Sequence, residues 1–372
     1  MNEEIGLKHF KESLLKLKQS NEQKVIITHI GDSHIQADLF SGKMRRNFQN
    51  EFGNGGRGLV FPYQAAKTNG PWDYIFKDES KSKWEAKRNI FINNPIPIGV
   101  CGITIKTEDT SSVLSFQCRN DERMNYDNRF DKLTLFHEKG NNTFDYIVYD
   151  GNGSIMGFLN AHLNKPNYCQ STLLLDTLTD CFSMKCYMRD TLQVKTEIYG
   201  LYLENSSPGI IYNTIGVNGA EYRHYNASQK FIEQLKLVNS NLIIVSLGTN
   251  DAVPVNFSLD IFMNHVDTLI QSIKQSHPNT SILITSPGDF YRKKKYKNKN
   301  VPKISEALKE YSLKNNLAYW DWFKVMGGSG SVLKFTQKHL AQPDRLHLTR
   351  SGYELQADLL YEAFRKLTAG TK

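Results

Sequence analysis

No apolar run in this 372-residue chain approaches the roughly 20 residues that a transmembrane helix needs, so no integral membrane segment is expected. Cysteine is scarce: five residues (Cys101, Cys118, Cys169, Cys181, Cys186), an odd number with no C-x-x-C spacing. That argues against both a zinc site and a disulfide scaffold, leaving a local Cys181–Cys186 pair as the one bridge to consider. The formal net charge is +8, yet no helix-turn-helix, RNA-binding or zinc-finger pattern accompanies it, so no nucleic-acid partner is expected. The N-terminal stretch lacks the apolar core of a signal peptide and reads instead as an amphipathic helix carrying Ile5, Phe10, Leu14, Leu15 and Leu17. A dinucleotide-binding fingerprint is also missing. Residues 53–58, GNGGRG, spell G-x-G-x-x-G, but they follow a helical stretch instead of joining a strand to a helix, and read as a crossover.

What is present is ordinary globular material, 40% hydrophobic and 23% charged, in a chain long enough for two domains. Two textures divide it. Residues 24–30 (KVIITHI) form a β-branched run that leads through Gly31-Asp32-Ser33-His34 into a helical stretch over 37–52. From about residue 209 the same rhythm returns. Strands are expected at 210–216, 241–248, 281–287 and 317–323, with helices over 221–237, 259–275, 301–315 and 351–367. Near-continuous apolar strands alternating with amphipathic helices predict a parallel sheet covered on both faces. Between them, period-two alternation broken by Gly, Asn and Asp predicts antiparallel strands in a sandwich without helices. The expected organisation is an α/β domain in two parts, 1–58 and 209–372, interrupted by an inserted all-β domain over 59–208. A basic run at 292–300, RKKKYKNKN, could meet phosphates or an acidic polymer; a solvated loop is the plainer reading.

Strand ends of an open α/β sheet share one crevice, so polar residues there converge although distant in sequence. Four such ends carry chemistry: Asp32, Ser33 and His34 after the first strand; Gly216, Asn218 and Gly219 after the second; Gly248, Asn250 and Asp251 after the third; Asp344 and His347 before the last helix. A serine hydroxyl needs a histidine to take its proton, and that histidine needs an acid on its other nitrogen. Ser33, His347 and Asp344 supply those three types as candidate catalytic residues. The Ser33 N–H, a glycine N–H and the Asn250 amide are candidate oxyanion donors. Asp32, His34, Gly216 and Asp251 are candidate pocket or scaffold residues, with Arg57 and Tyr222 as further candidates for the cleft. Taken alone, Ser33 reads more readily as a helix cap; the other three blocks turn the reading toward a nucleophile.

The blocks Gly31-Asp32-Ser33, Gly219, Gly248-x-Asn250-Asp251 and Asp344-x-x-His347, in this order, resemble those of the SGNH (GDSL-type) hydrolase superfamily. GDSHIQAD, FGNGGRGLVFPY and IGVNGAEYRHY further resemble the branch of bacterial peptidoglycan O-acetylesterases, which carry an inserted β-sandwich like a carbohydrate-binding module. The resemblance implies a three-layer α/β/α fold and removal of acetyl groups from a glycan through an acetyl-Ser33 intermediate. It implies no metal and no cofactor. It also implies Gly219, over Gly216, as the glycine of the oxyanion hole, an acetylated cell-wall polysaccharide as partner, and a periplasmic or secreted setting. Other acyl esters, including lysophospholipids and thioesters, remain alternatives, as does a glycan-binding protein without turnover. A metallophosphoesterase fits less well: its Asp-x-His and Gly-Asn-His blocks are missing and it would leave Ser33 without a role.

Overall fold

Val25 and Ile27, Ile210 to Tyr212, Leu242 to Val245 and Ile282 to Ile284 are all buried, and each run is a strand of one parallel sheet. The computed structural model describes residues 3–20, 22–91, 93, 95–119, 127–161 and 169–369. They fall into two compact units. One comprises Met1–Gly53, Pro208–Ala227 and Val238–Lys372; the other comprises Asn54–Ser207 and Ser228–Leu237.

In the first unit the parallel strands lie in the order Ala318–Trp320, Ser281–Thr285, Leu242–Ser246, Lys24–Gly31, Gly209–Gly216. By position in the chain that order is 5-4-3-1-2. The connection direction therefore reverses beside the first strand, between it and the third, which is where a doubly wound sheet opens its ligand crevice. Helices Lys8–Ser20, Leu39–Phe52 and Arg350–Ala369 pack together in one layer, while Tyr222–Asn226, Leu259–Ser276 and Val301–Lys314 form a second group. The first layer closes on an aromatic cluster in which the Phe48 ring lies 6.0 Å from Phe10 and 5.4 Å from Phe364, both edge-on.

A buried ion pair anchors the first long helix. Arg45 donates from Nη2 to Asp38 Oδ2 at 2.6 Å and from Nε to the Tyr212 carbonyl at 3.1 Å. Asp38 Oδ1 accepts from the Ser41 and Thr214 hydroxyls at 2.6 and 2.7 Å. Asp38 itself sits in the left-handed region at φ 56°, so the helix expected over 37–52 begins at Leu39 and runs Leu39–Phe52, preceded by a separate single turn, Ser33–Gln36. The amphipathic N-terminal stretch is likewise two helices, Glu3–Gly6 and Lys8–Ser20.

The second unit is two antiparallel sheets. One runs Ile155–Leu159, Asp145–Tyr149, Cys181–Tyr187, Val113–Cys118, Tyr74–Asp78. The other runs Gln170–Thr179, Phe130–His137, Thr196–Glu204, Ile103–Thr107, Glu85–Arg88. Phe116 and Phe182 of the first sheet stack at 5.1 Å, and both meet Phe130 of the second edge-on, at 5.9 and 5.8 Å. Aromatic side chains from both inner faces thus fill the sandwich core.

Four further expectations change. Residues 221–237 are not one helix: Tyr222–Asn226 ends at Ala227, and Gln229–Val238 begins anew after Ser228. Most of that second helix groups with the β unit, where Gln234 accepts the Val100 N–H at 2.8 Å and Lys230 donates to the Tyr199 hydroxyl at 2.8 Å. Arg57 cannot line a cleft. It is 1% exposed and binds Asp73 through two hydrogen bonds, at 2.6 and 3.0 Å, inside the β unit. Tyr222 is fully buried against Phe262. Finally, Cys181 and Cys186 share one strand, where an odd separation points their side chains to opposite faces; all five cysteines are free thiols.

Candidate active site

The first strand ends at Gly31, paired in register with Gly216 of the second and Ser246 of the third. Immediately beyond it the chain folds into the one-turn helix Ser33–Gln36, whose cap is Asp32: its Oδ1 accepts the His34 N–H at 3.0 Å. The turn lies so close to the sheet that a side chain at Gly31 would strike Ile35 Cγ1 at 2.3 Å, and one at Gly216 would strike the Gln36 backbone at 2.3 Å. Gly216 therefore makes room for the helix that carries Ser33. The Tyr225 hydroxyl donates to the Gly31 carbonyl at 2.7 Å, fixing the strand end from the other side.

Ser33, presented by that turn, meets the far end of the chain. Its Oγ lies 3.0 Å from His347 Nε2, and His347 Nδ1 lies 2.7 Å from Asp344 Oδ2. A carboxylate can only accept, so Nδ1 carries the proton, Nε2 is left as acceptor, and the Ser33 hydroxyl donates to it. Asp344 is held from its own loop: Oδ1 accepts the N–H groups of Leu346 and His347, both at 3.0 Å. Partial burial pushes the Asp344 carboxyl up. The His347 ring and those two N–H groups outweigh it and hold the carboxyl below its ordinary range.

Around this chain of bonds lie donors and neutral walls. The N–H of Ser33 and the N–H of Gly219 make no hydrogen bond among the described residues. Gly219 adopts φ 82° in the turn after the second strand, a conformation that favours glycine, and Gln36 ties this turn to the Ser33 helix by accepting the Asn218 N–H at 2.6 Å. Asn250 donates from Nδ2 to the Ala220 carbonyl at 2.9 Å and to Asp32 Oδ2 at 3.3 Å. Its amide thus spans the residue after Gly219 and the residue before Ser33. The longer of its two bonds is the one a developing oxyanion could take over.

His34 and Asp251 take defined places. His34 Nδ1 is 2.8 Å from the Tyr353 hydroxyl, and its ring lies 5.2 Å from that of His347. Burial lowers its pKa, against the carboxylates of Asp32 and Asp344 and with the help of His347. A neutral His34 does not repel a positive charge forming on His347. Asp251 is 8% exposed, and its Oδ2 has no hydrogen-bond partner among the described residues. Burial first, then the nearby Glu221, pushes its carboxyl up to about 8. Asp251 is thus a buried carboxyl beside Asn250 whose surroundings favour its protonated form. Tyr353, Tyr225 and Gln36 have no signature in the sequence: a tyrosine or glutamine that orients a neighbour looks like any other until the neighbour is placed.

Among the described residues no group of three or more His, Cys, Asp and Glu is arranged to hold a metal ion. Residues 197–355 match the model of the GDSL-like lipase/acylhydrolase family. No curated protein sequence matches. Among solved structures, that of a peptidoglycan O-acetylesterase aligns with 98% of this chain and 97% of its own, at TM-score 0.81 and 19% identity. A catalytic mutant of an acetylxylan esterase from Geobacillus stearothermophilus aligns with 42% of this chain and 72% of its own, at TM-score 0.34 and 17% identity. A carbohydrate esterase of family 3 from Talaromyces cellulolyticus covers 43% of this chain and 74% of its own, at TM-score 0.35 and 10% identity. The chain resembles the GDSL/SGNH-type hydrolases, with a parallel α/β sheet and additional antiparallel sheets.

Proposed function

We propose that this chain, with the fold of a GDSL/SGNH-type hydrolase, is a serine esterase that removes O-acetyl groups from a carbohydrate, foremost peptidoglycan. The observation that carries the reading is the continuous set of hydrogen bonds from Ser33 Oγ through His347 to Asp344. His347 Nε2 takes the Ser33 proton as Oγ attacks the acetyl carbonyl carbon. The N–H groups of Ser33 and Gly219 and one Asn250 N–H receive the oxyanion, and the Asn250–Asp32 bond yields as they do. Each donor of this kind is worth about 3–4 kcal/mol of barrier. The tetrahedral species collapses, His347 returns its proton to the departing sugar oxygen, and acetyl-Ser33 remains. Water, deprotonated by His347, attacks the acetyl carbonyl, and acetate leaves as Ser33 regains its proton. Asp344 keeps the ring in the required tautomer and stabilises its positive charge throughout.

The substrate assignment draws on the fold shared with a peptidoglycan O-acetylesterase and on the β-sandwich unit, read as a glycan-binding module. It entails a periplasmic or secreted location, where such a polymer is met. No helix among the described residues is long and apolar enough to cross a membrane. Ser33→Ala tests the reading. Turnover of 4-nitrophenyl acetate and acetate release from O-acetylated peptidoglycan should both fall by at least about 10⁴-fold with the fold intact. Undiminished acetate release by that variant rules the mechanism out. Acetate release by the wild type from acetylated xylan but not peptidoglycan would move the substrate and keep the chemistry.

A further inference from the structure

The basic run at 292–300 is not a free loop. Tyr291–Arg292 pairs antiparallel with Tyr296–Lys297, and the hairpin is tied down at both sides. Asn298 and Asn300 each donate to the Ala252 carbonyl at 3.0 Å, and Arg292 donates to that of Val253 at 3.3 Å, in the loop that carries Asn250. On the other side the Tyr291 N–H donates to the Arg345 carbonyl at 3.0 Å, while Arg345 donates to the Lys294 carbonyl at 2.9 Å, in the loop of Asp344 and His347. The hairpin therefore bridges two loops that carry the site.

Beside it lies a groove of about 540 Å³ lined by Val253, Val255, Tyr291, Tyr296, Leu346 and, at the catalytic end, Asp344. Its apolar wall faces water: Val255 is 79% exposed and Tyr296 60%. On the rim, Lys293 and Lys294 are exposed, as is Lys295 next to them in the chain, and none of the three has an ion pair or side-chain hydrogen bond among the described residues. Lys293 and Lys294 also hold φ of 49° and 62°, where Gly or Asn would fit with less strain. Lysines stand there against local backbone preference.

We propose that this groove and hairpin form a subsite for the substrate polymer outside the acetyl group, specific for a glycan carrying carboxylates. The inference rests on the esterase reading above. The apolar faces of sugar rings lie on Val255 and Tyr296, and the lysine ammonium groups meet carboxylates along the chain. Mobile point charges suit a polymer with irregularly spaced anions, where an arginine fork would demand one fixed geometry.

The test uses the full chain with O-acetylated peptidoglycan fragments, once with free carboxylates and once with them amidated. The readout is kcat/KM on the fragments divided by kcat/KM on 4-nitrophenyl acetate. Amidation, or the triple substitution Lys293→Gln, Lys294→Gln and Lys295→Gln, should each lower that ratio roughly tenfold, as for three exposed charge contacts. Combining them should add little, and raising salt should erode the wild-type preference. An unchanged ratio in the triple variant overturns the subsite while leaving the esterase standing. If the wild type releases no acetate from either fragment, the glycan-esterase reading fails. Binding of the same fragments to Ser33→Ala protein, with and without the three glutamines, then decides the subsite. A Kd insensitive to the three substitutions overturns it; a Kd weakened about tenfold supports it.

Discussion

Asp344→Asn changes one atom and should abolish nearly all activity, because the surrounding bonds dictate which way the new amide faces. Asp344 Oδ1 accepts two backbone N–H groups and Oδ2 accepts one ring N–H. With the amide nitrogen turned to the backbone, two buried-side donors lose their acceptor and face another donor. Turned to the ring, only one bond is at stake. Each unmade bond costs about 1–3 kcal/mol, so the amide should keep its oxygen on the backbone. The NH₂ then faces His347 Nδ1, which must become the acceptor, and the ring proton moves to Nε2. That nitrogen lies 3.0 Å from Ser33 Oγ and can no longer take the serine proton. The expected loss in kcat is about 10⁴-fold, the size known for a carboxylate-to-amide change that imposes the wrong tautomer. Steady-state hydrolysis of 4-nitrophenyl acetate measures it, with circular dichroism and a thermal melt to check the fold. A loss below about tenfold in a folded variant would refute the tautomer argument and with it the role given to Asp344.

Asn250→Ala removes one proposed oxyanion donor and should lower kcat by about 10²–10³-fold with little change in KM; an equal loss in Ser33→Ala background activity would place Asn250 outside the mechanism. Asp251 should make the protein less stable as pH rises. Burial pushes its carboxyl from the ordinary 3.8 up to about 8 in the folded chain, so unfolding releases a proton between those values. Stability should therefore fall across that window by up to about 1.4 kcal/mol per pH unit. Urea midpoints of Asp251→Asn from pH 5 to 8 should fall less steeply than those of the wild type, and parallel profiles would contradict the raised pKa. Arg45→Ala strands the buried Asp38 carboxylate and should cost about 3–5 kcal/mol, read as a lowered denaturation midpoint; a cost below about 1 kcal/mol would mean that the Ser41 and Thr214 hydroxyls suffice for Asp38.

Much of the fold was legible because burial on both faces leaves a direct trace in composition. Ile210 to Ile215 and Leu242 to Val245 read as strands of a covered sheet, and the alternation across much of 103–204 reads as antiparallel strands, although Thr196–Glu204 is buried on both faces. The helix breaks were not legible. Asp38 in a left-handed conformation and the stop at Ala227 follow from a buried ion pair and from packing of the second helix on the β unit, both long-range. The types and order of Ser33, Asn250, Asp344 and His347 were readable because each stands at a strand end or just before a helix, where chemistry collects.

Sequence by itself determined the sheet-forming runs, the chemical cast of the site and its order along the chain, since these depend on local pattern and residue type. Tertiary structure decided partnership. Only the reversal of strand order beside the first strand brings residue 33 to residue 347. Only the close packing permitted by Gly31 and Gly216 seats the serine turn on the sheet. Likewise, a run of lysines that reads as solvated loop became the wall of a groove only when its backbone was tied to the loops of Asn250 and His347. Pairings across some 300 residues are set by how the sheet is wound, and no stretch of sequence carries that information alone.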